Sequence, residues 1–291
     1  MIRLDSIKNS KSLSVFLSQC QQHSSKHIGY IGTEAKEIQQ SLENEFSDLP
    51  LEDSALGIFM NEELIGFLGF DLDKDDRSAE IWGPYFKNHW NEDLAFELWK
   101  GLIDHVPMSI EEYSFFINSS NKDTVHFAKT LGATFQGNHL ILTLDRSFYE
   151  PQEAPSEIKP FELIHKDAFI ALHQTHFPGA YLTADEMIES IDPTHRLLLY
   201  KENESVIGYI YAEVSPQFGE SDIHFFAVDA ASQGKGVGTQ LLHATISWIF
   251  SFSSIQTITL CVSVDSVAAI HLYKQAQFKE IYALSAYDLK S

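Results

Sequence analysis

Three glycines at alternate positions stand between residues 233 and 242. Gly234, Gly236 and Gly238 follow an apolar run at 225–228 and precede an apolar-periodic stretch at 241–250. This pattern predicts a strand, a tight glycine loop and a helix. Such a loop directs successive backbone N–H groups to one place, and the positive end of the helix dipole adds to their attraction. The predicted chemistry is anion binding, most often of a phosphate, and the alternative is a plain glycine turn.

Two common phosphate motifs do not fit this loop. A P-loop needs Gly-Lys-Ser/Thr at its end, and no such triplet follows the later glycines. A Rossmann fingerprint needs G-x-G-x-x-G at the start of a long βαβ series, whereas the spacing here is G-x-G-x-G and the strand lies late in its domain. The pattern that fits is Q-x-x-G-x-G, which runs from Gln233 to Gly238.

Composition limits the classes of partner. The chain has 291 residues, and at roughly 100–200 residues per domain this length predicts two domains. It carries 41 acidic and 20 basic residues, a formal net charge of −21. Nucleic acids and anionic membranes are therefore disfavoured as partners, since phosphate surfaces attract basic faces. A cationic small molecule is favoured, although an acidic balance also serves solubility alone.

Few residues suggest metal or disulfide chemistry. Cys20 and Cys261 lie far apart, and the 13 histidines show no paired-ligand spacing, so we predict no metal site. The N-terminus lacks the long apolar region of a signal peptide, and no apolar run reaches the ~18 residues of a membrane span. These features predict a cytoplasmic protein.

The chain contains an internal repeat. The segment 63–70 resembles 205–212, with Gly66 opposite Gly208, and 56–59 and 80–86 have counterparts at a nearly constant offset. Farther on, 127–132 lies opposite 272–277, so the register continues through three strands and a helix. We predict two homologous units at 1–149 and 158–291. A linker rich in Pro and Glu joins them at 150–157.

Each unit has the same predicted order of elements. Two short helices come first, then three antiparallel strands, a helix, a strand, a helix and a closing strand. Thr183 heads a capping box with Glu186. The predicted fold class is α/β, with a mixed sheet in each of two tandem domains. The predicted helices are 10–23, 33–46, 94–105, 166–175, 183–190 and 239–252, and the closing strands are 140–144 and 282–289.

Two stretches of the second unit resemble the GNAT superfamily of acyl-CoA-dependent N-acyltransferases. Residues 226–238 are similar to the signature V-x-P-x-x-[RQ]-x-x-G-x-G/A. Residues 266–278 are similar to the helix motif N-x-x-A-x-x-L-Y-x-x-x-G-F. Because both motifs lie in the right order and at about the right separation, the second unit is identified as a member of this superfamily. With the internal repeat, the chain resembles a tandem-GNAT protein with a degenerate N-terminal copy.

The resemblance implies acetyl-CoA as the acyl donor. The glycine loop would hold its pyrophosphate, and the backbone of 226–228 would pair with the pantetheine arm as an added strand. The Phe226 amide would polarise the thioester carbonyl. For these strand residues the alternative is a role in the core alone. The implied cofactor-binding residues are Phe226, Ala227, Val228, Gln233, Gly234, Lys235, Gly236, Val237, Gly238, Thr239, Ser266 and Ala269.

The resemblance also implies catalytic residues. Tyr273 stands where the family keeps a tyrosine that protonates the departing thiolate, and the alternative is an aromatic core residue. Asp222 stands where one branch of the family keeps a general base, and His224, two residues on, would share its strand face. Glu213 and Glu220 are weaker candidates for the base. A solvated Asp222, a packed His224 and deprotonation by water alone remain alternatives.

The sequence departs from the family pattern at several points. Ser266 replaces the usual Asn, and Gln277 and Ala230 replace the usual Gly and Pro. The first unit departs further: its connection at 87–94 has no glycine and carries Glu92-Asp93, and Ala128 stands opposite Tyr273. We therefore predict that the first unit does not bind coenzyme A.

Residues 173–181 are the predicted acceptor loop. Their aromatic and imidazole side chains would line the amine site, a metal pair at His173 and His176 is a remote alternative, and an ordinary loop is the third. The leading hypothesis is an acetyl-CoA-dependent N-acetyltransferase acting on a primary amine of a small molecule or peptide. The alternative is a non-catalytic acyl-CoA-binding sensor or scaffold. We expect a monomer with an internal pseudo-dimer, or a homodimer.

Overall fold

The structure, a computed structural model, describes residues 2–151, 155–203 and 205–291. The predicted linker therefore falls partly outside the described residues, at 152–154. The elements of the first half are β1 (Ile2–Ser6), α1 (Ser10–Gln21), α2 (Ala35–Asn44), α3 (Leu51–Ser54), β2 (Ala55–Met60), β3 (Glu63–Asp73), β4 (Ser78–Phe86), α4 (Glu92–His105), β5 (Glu112–Asn118), α5 (Lys122–Thr130) and β6 (Thr134–Asp145).

The second half repeats this order, except that no described helix matches α3. Its elements are β7 (Ile158–Pro160), α6 (Lys166–His176), α7 (Ala184–Glu189), β8 (His195–Glu202), β9 (Ser205–Ser215), β10 (Glu220–Val228), α8 (Val237–Ile249), β11 (Thr257–Ser263), α9 (Val267–Gln275) and β12 (Lys279–Lys290). The predicted mixed α/β class is confirmed. The sequence patterns missed the short strands β1 and β7 and the one-turn helix α3. None of the described helices is both long enough and apolar enough to cross a membrane.

The chain divides into two compact units, Met1–His139 with Tyr282–Ser291, and Leu140–Ile281. Residues 284–290 of β12 pair antiparallel with β5 in the first unit, and the sheet order places β6 beside β11. The expectation that each closing strand completes its own repeat is therefore wrong. A strand pattern shows that a segment is extended, but its partner is set by whichever sheet edge is available. The repeat bounds 1–149 and 158–291 stay a prediction.

The first unit is a six-stranded mixed sheet in the order β1-β2-β3-β4-β5-β12. Its pairs are antiparallel except β4 and β5, which are parallel. Helices α4 and α5 pack on one face around Leu98, Trp99 and Phe127. Helices α1 and α2 pack on the other face around Leu17 and Ile38. The first unit therefore has its own hydrophobic core, with one apolar cluster on each face of the sheet.

The second unit has the order β7-β8-β9-β10-β11-β6, in which β10 and β11 are parallel. Helices α8 and α9 cover one face through an apolar cluster that includes Leu241 and Tyr273. Helices α6 and α7 cover the other face, where Phe169 and Tyr209 are fully buried. The predicted capping box starts α7: Glu186 N–H donates to Thr183 Oγ1, and Thr183 N–H donates to the Glu186 carboxylate.

Candidate functional site

A cleft opens in the second unit where two parallel strands separate. Strands β10 and β11 pair only at Asp222 with Thr259 and at Ile223 with Leu260. Beyond that point β10 keeps its pairing with β9 as far as Val228, so its other backbone edge faces the gap. The resulting cleft has a volume of about 780 Å³. Its wall therefore offers backbone donors and acceptors to an extended ligand.

The cleft gathers most of the predicted cofactor-binding residues. Two of the predicted residues do not line it: Val237 is buried in the core beneath the loop, and Lys235 is exposed. His176 of the predicted acceptor loop also reaches the wall, from the end of α6. Four further lining residues were not predicted to bind the cofactor: Asp265, Val267, Ala268 and Leu272, which lie in or just before α9. The predicted residues that line it are Phe226, Ala227, Val228, Gln233, Gly234, Gly236, Gly238, Thr239, Ser266, Ala269 and Tyr273.

The glycine loop forms one end of the cleft. Gly234 and Gly236 have φ of 73° and 86°, in the left-handed region that other residues enter only at a cost. The first N–H groups of any helix lack intrahelical partners. Gly236, which precedes α8, has no side chain that could accept a hydrogen bond from them. A Cβ on Gly238 would lie 3.3 Å from the Phe226 ring. The loop can therefore bring bare backbone amides close to an anion.

The side-chain amide of Gln233 makes a hydrogen bond within the protein and is not directed at a ligand. Its Nε2 donates to the Val228 carbonyl at 3.1 Å, which ties the loop to the end of β10. Ser266 directly precedes α9 and makes no capping hydrogen bond, so its hydroxyl stays available at the cleft wall. These two residues thus differ in use: one fixes the loop, and the other is open to a ligand.

Tyr273 lies in the wall opposite the loop. Only 6% of it is exposed, and its ring packs 6.2 Å from Phe226 and 5.7 Å from Phe278. Among the described residues its hydroxyl has no hydrogen-bond partner, and it faces the cleft. Burial raises the pKa of this phenol, so it keeps its proton at neutral pH. It is a proton donor without a competing partner.

The predicted bases lie in a second group, which we call the acid–histidine cluster: Asp192, His195, Glu213, Asp222 and His224. His224 Nε2 lies 3.3 Å from Glu213 Oε2, and His195 lies 3.6 Å from the other oxygen of Glu213. His195 Nδ1 in turn lies 2.9 Å from Asp192. His195 and Asp192 were not among the predicted site residues, because only the register of β8 on β9 places His195 opposite Glu213.

Strand β10 contains a bulge at His224. Ile223 pairs with Ala212 and Phe225 pairs with Tyr211, which leaves His224 as the extra residue between two regular pairs. Its ring lies 5.8 Å from that of Tyr211. The shared face of Asp222 and His224 follows from the two-residue period of a strand and stays a prediction, since the bulge changes the alternation only beyond His224. Neither residue lines the cleft itself.

The pKa values of two carboxyls in the cluster are shifted in opposite directions. The protein that surrounds the Asp222 carboxyl partly desolvates it. This desolvation raises its pKa to about 6, against the lowering effect of His224. The pKa of Glu213 is lowered, chiefly by its hydrogen bond to His224. Glu213 is therefore a stable anion at neutral pH, whereas Asp222 can gain or lose a proton near pH 6. Glu220, the weaker candidate, begins β10 opposite Ser215.

Residues 158–278 match the family model described as Acetyltransferase (GNAT) family. This region is a GNAT acetyltransferase domain. No curated protein matches the chain.

Solved structures match the whole chain in fold. A GCN5-related N-acetyltransferase from Sphaerobacter thermophilus is 12% identical, with a TM-score of 0.76 over 99% of this chain and 95% of that one. A tandem GNAT protein from the clavulanic acid biosynthesis pathway is 10% identical, with a TM-score of 0.68 over 100% of this chain and 98% of that one. The chain therefore has a tandem GNAT fold.

The predicted acceptor loop, residues 173–181, is anchored by a buried histidine. His173 Nδ1 lies 2.6 Å from the Tyr209 hydroxyl and its Nε2 lies 3.2 Å from the Leu182 carbonyl. Both ring nitrogens are thus used inside the protein, which makes His173 a positioning residue. Phe177 and Tyr181 rest on Phe225 at 5.2 and 5.1 Å between ring centroids. The loop therefore presents aromatic surface, as its sequence predicts.

The first unit has the same strand separation, but its gap is closed by the chain. Strands β4 and β5 pair only from Ser78 to Glu80. Residues 27–29 then add to β5: Gly29 N–H donates to the Phe116 carbonyl at 2.6 Å, and Asn118 N–H donates to the His27 carbonyl at 3.2 Å. We call residues 26–31 the plug. Where the GNAT domain has a cleft of about 780 Å³, the first unit keeps a recess of about 170 Å³ beside the plug.

Proposed function

We propose that this protein is an acetyl-CoA-dependent N-acetyltransferase that moves an acetyl group directly to a primary amine. Family membership of residues 158–278 supports an acyltransferase. The observation that carries the finer proposal is the gap between β10 and β11, which ends at the uncapped N-terminus of α8 and contains the free hydroxyl of Tyr273. The gap suits an extended arm, and the loop suits a pyrophosphate.

The residues present fit the donor. The pantetheine arm would pair with the open edge of residues 226–228, and the pyrophosphate would accept from amides of the loop at 234–239. Lys235 is exposed at the same loop and adds a positive charge in a chain of net charge −21. By the family resemblance, the thioester carbonyl would lie near the Phe226 amide, which would stabilise the negative charge that develops there.

Two proton transfers complete the proposed reaction. The departing thiolate, with an ordinary pKa of ~8.5, takes a proton from the Tyr273 hydroxyl. The acceptor arrives mostly as an ammonium, because alkyl amines have a pKa of ~10. It must lose a proton before it attacks, and Asp222 and His224 are the candidate bases. Glu213 is held as an anion beside His224, so it would stabilise a protonated imidazole.

Isothermal titration with acetyl-CoA, followed by measurement of free thiol release, tests this proposal. The acceptors should include an amino sugar, a polyamine, an amino acid and a peptide with a free N-terminus. We expect saturable binding of one acetyl-CoA per chain and amine-dependent thiol release. Saturable binding without turnover on any amine would instead indicate a non-catalytic acyl-CoA-binding module.

A further inference from the structure

A continuous run of hydrogen bonds leads from the acceptor loop into the acid–histidine cluster. The Tyr181 hydroxyl lies 2.8 Å from His224 Nδ1. His224 Nε2 lies 3.3 Å from Glu213 Oε2. The second oxygen of Glu213 faces His195, which is itself held by Asp192. The outermost member of this run, Tyr181, is 70% exposed, so its hydroxyl oxygen can meet an incoming molecule.

The protons of this run can be assigned. The lowered pKa of Glu213 makes it an anion at neutral pH, and a carboxylate only accepts hydrogen bonds. His224 Nε2 must then carry the hydrogen that faces Glu213. In the form of His224 that can accept a proton, the ring has one N–H, so Nδ1 is the acceptor and the Tyr181 hydroxyl donates to it. The free lone pairs of the Tyr181 oxygen are left to accept from a substrate N–H.

Tyr181 packs on the strand residue next to the cleft wall. Its ring lies 5.1 Å from that of Phe225, and the next residue, Phe226, lines the cleft. The segment of β10 that Tyr181 contacts is therefore continuous with the wall of the cleft. His224 itself is more deeply placed, with 24% of its side chain exposed. The exposed partner of this histidine is therefore the tyrosine.

We propose that Tyr181 takes the proton of the acceptor ammonium and passes its own proton to His224. This inference rests on the proposed acetyl transfer. The ammonium N–H bond breaks and its proton bonds to the Tyr181 oxygen, while the Tyr181 O–H bond breaks and that proton bonds to His224 Nδ1. The amine nitrogen keeps the electron pair with which it attacks. One positive charge moves from the amine to the imidazole, where Glu213 stabilises it.

Other titratable groups around His224 bear on this transfer. Glu213 and Tyr211 face it from β9, Asp222 from its own strand, and Tyr181 from the loop. Cys261 on β11 interacts with Asp222, and burial raises the pKa of that thiol to about 12, so it stays neutral. The hydroxyl of Tyr211 is engaged by Ser190 at 2.7 Å. Among these described groups, Tyr181 and the two acidic residues are those that can exchange protons with the histidine.

The replacement Tyr181→Phe removes the relay oxygen and keeps the exposed ring, so folding is little affected. The matched control is Tyr211→Phe, which removes a hydroxyl beside the same histidine but outside the run. With the best amine from the panel, we expect Tyr181→Phe to lower kcat/KM for the amine ~100-fold at pH 7. The deficit should shrink as the pH approaches the ~10 of the free amine, since hydroxide then removes the proton. Tyr211→Phe should keep the parent profile.

A deficit in Tyr181→Phe that is equal at every pH would overturn the relay and leave the acetyl transfer intact. Absence of amine-dependent turnover by the unmodified protein would overturn the proposed function itself. A second readout needs no acceptor: nitrogen-15 spectra of the His224 ring. We expect the Nε2–H tautomer in the unmodified protein and loss of that preference in Glu213→Gln. An Nδ1–H tautomer in the unmodified protein would overturn the relay.

Discussion

The two units contain the same strand separation and use it in opposite ways. In the first, β4 and β5 diverge after Glu80; in the second, β10 and β11 diverge after Ile223. The first gap is filled by the plug, whose backbone pairs with β5. The second is left open and ends at the glycine loop. A shared sheet geometry therefore creates a ligand site only where the chain does not supply its own added strand.

The plug is fixed by a buried glutamine. Gln21 Nε2 donates to the carbonyls of Ile28 and Ile31 at 3.0 and 2.6 Å, and its Oε1 accepts from Ile28 N–H and from the Tyr85 hydroxyl. Lys26 donates to the Phe86 carbonyl at the end of β4. The gap is thus closed by a network of hydrogen bonds around Gln21, which would have to be broken to admit a ligand.

The helix after each gap differs as well. Helix α4 is capped by the Asn91 side chain, which accepts from Leu94 N–H, and its first turn carries Glu92 and Asp93. Helix α8 follows Gly236, which has no side chain to cap it. A cap uses an amide that an anion would otherwise bind, and carboxylates repel a pyrophosphate. The first unit has therefore lost anion binding at the helix as well as the open gap.

Exchanging charge between the two helix starts should produce the largest effect. Gly238 and Asp93 occupy matching positions, two residues after Gly236 and Asn91. Gly238→Asp places a carboxylate against the pyrophosphate, and at ~4 Å two charges repel by about 4 kcal/mol at a surface-like dielectric. We expect acetyl-CoA affinity, measured by titration calorimetry, to fall at least ~100-fold. Asp93→Gly should leave affinity and stoichiometry unchanged, and weaker binding in that control would place the donor site elsewhere.

Loosening the plug tests whether the closed gap is a latent site. Gln21→Ala leaves buried partners unsatisfied, including the Tyr85 hydroxyl, at about 1–3 kcal/mol each. We expect the unfolding free energy in urea to fall by about 2–4 kcal/mol, whereas the exposed neighbour Gln22→Ala should change it little. Acetyl-CoA stoichiometry should stay at one per chain. A second bound acetyl-CoA would show that the plug alone separates the two units.

Removing the Tyr273 hydroxyl should bring the GNAT domain closer to the first unit, where the matching residue is the buried Ala128. Tyr273→Phe keeps the ring contacts to Phe226 and Phe278. We expect kcat to fall ~10–100-fold and the acetyl-CoA dissociation constant to stay the same. Because burial raises the pKa of Tyr273, the parent rate should not decline through loss of this proton up to pH 10. An unchanged kcat would remove Tyr273 from the mechanism.

Local patterns predicted the elements of the site, and long-range pairings escaped them. The strand, loop and helix around Gly236 are encoded in one continuous stretch, 220–249, and the capping box at Thr183 needs only four residues. The plug depends on residues 27–29 meeting residues 116–118, and the partner of β12 depends on which sheet edge is available. No local periodicity specifies such contacts. The same holds for His195, whose place opposite Glu213 follows from strand register.

One missed detail had a signal in the repeat. Gln277 has φ of 70° at the end of α9, where the family motif carries glycine. Its counterpart in the first unit is Gly132, with φ of 95°. The first unit thus keeps the residue suited to a left-handed helix end, while the GNAT domain tolerates a strained glutamine. Comparing the two copies position by position would have identified this strain from the sequence.

Each unit has a pair of acidic residues on neighbouring strands below the gap, and the two pairs have different neighbours. Asp71 pairs with Glu80 in the first unit, and Glu213 pairs with Asp222 in the second. Trp82 stands in the first unit at the repeat position of His224. Without an imidazole, burial raises the pKa of Asp71 to about 6 and that of Glu80 to about 7. With the two histidines present, the pKa of Glu213 is lowered instead.

Removing one carboxylate from each acidic pair should have the smallest effect, and the change in stability should have opposite signs in the two units. Asp71 is the repeat counterpart of Glu213. Its raised pKa means that folded Asp71 binds its proton more tightly than the unfolded chain, so its charge destabilises the fold as the pH rises above ~4. Asp71→Asn should then raise stability above pH ~6, and this gain should fade as the pH falls toward ~4. Glu213→Gln should lower stability at neutral pH, and this loss should vanish in acid, where the carboxyl is protonated in both states. Both changes should stay below about 1 kcal/mol, because solvent screens these side chains. Urea midpoints across pH 4–8 measure them, and equal signs would mean that the histidines do not set the charge of the pair.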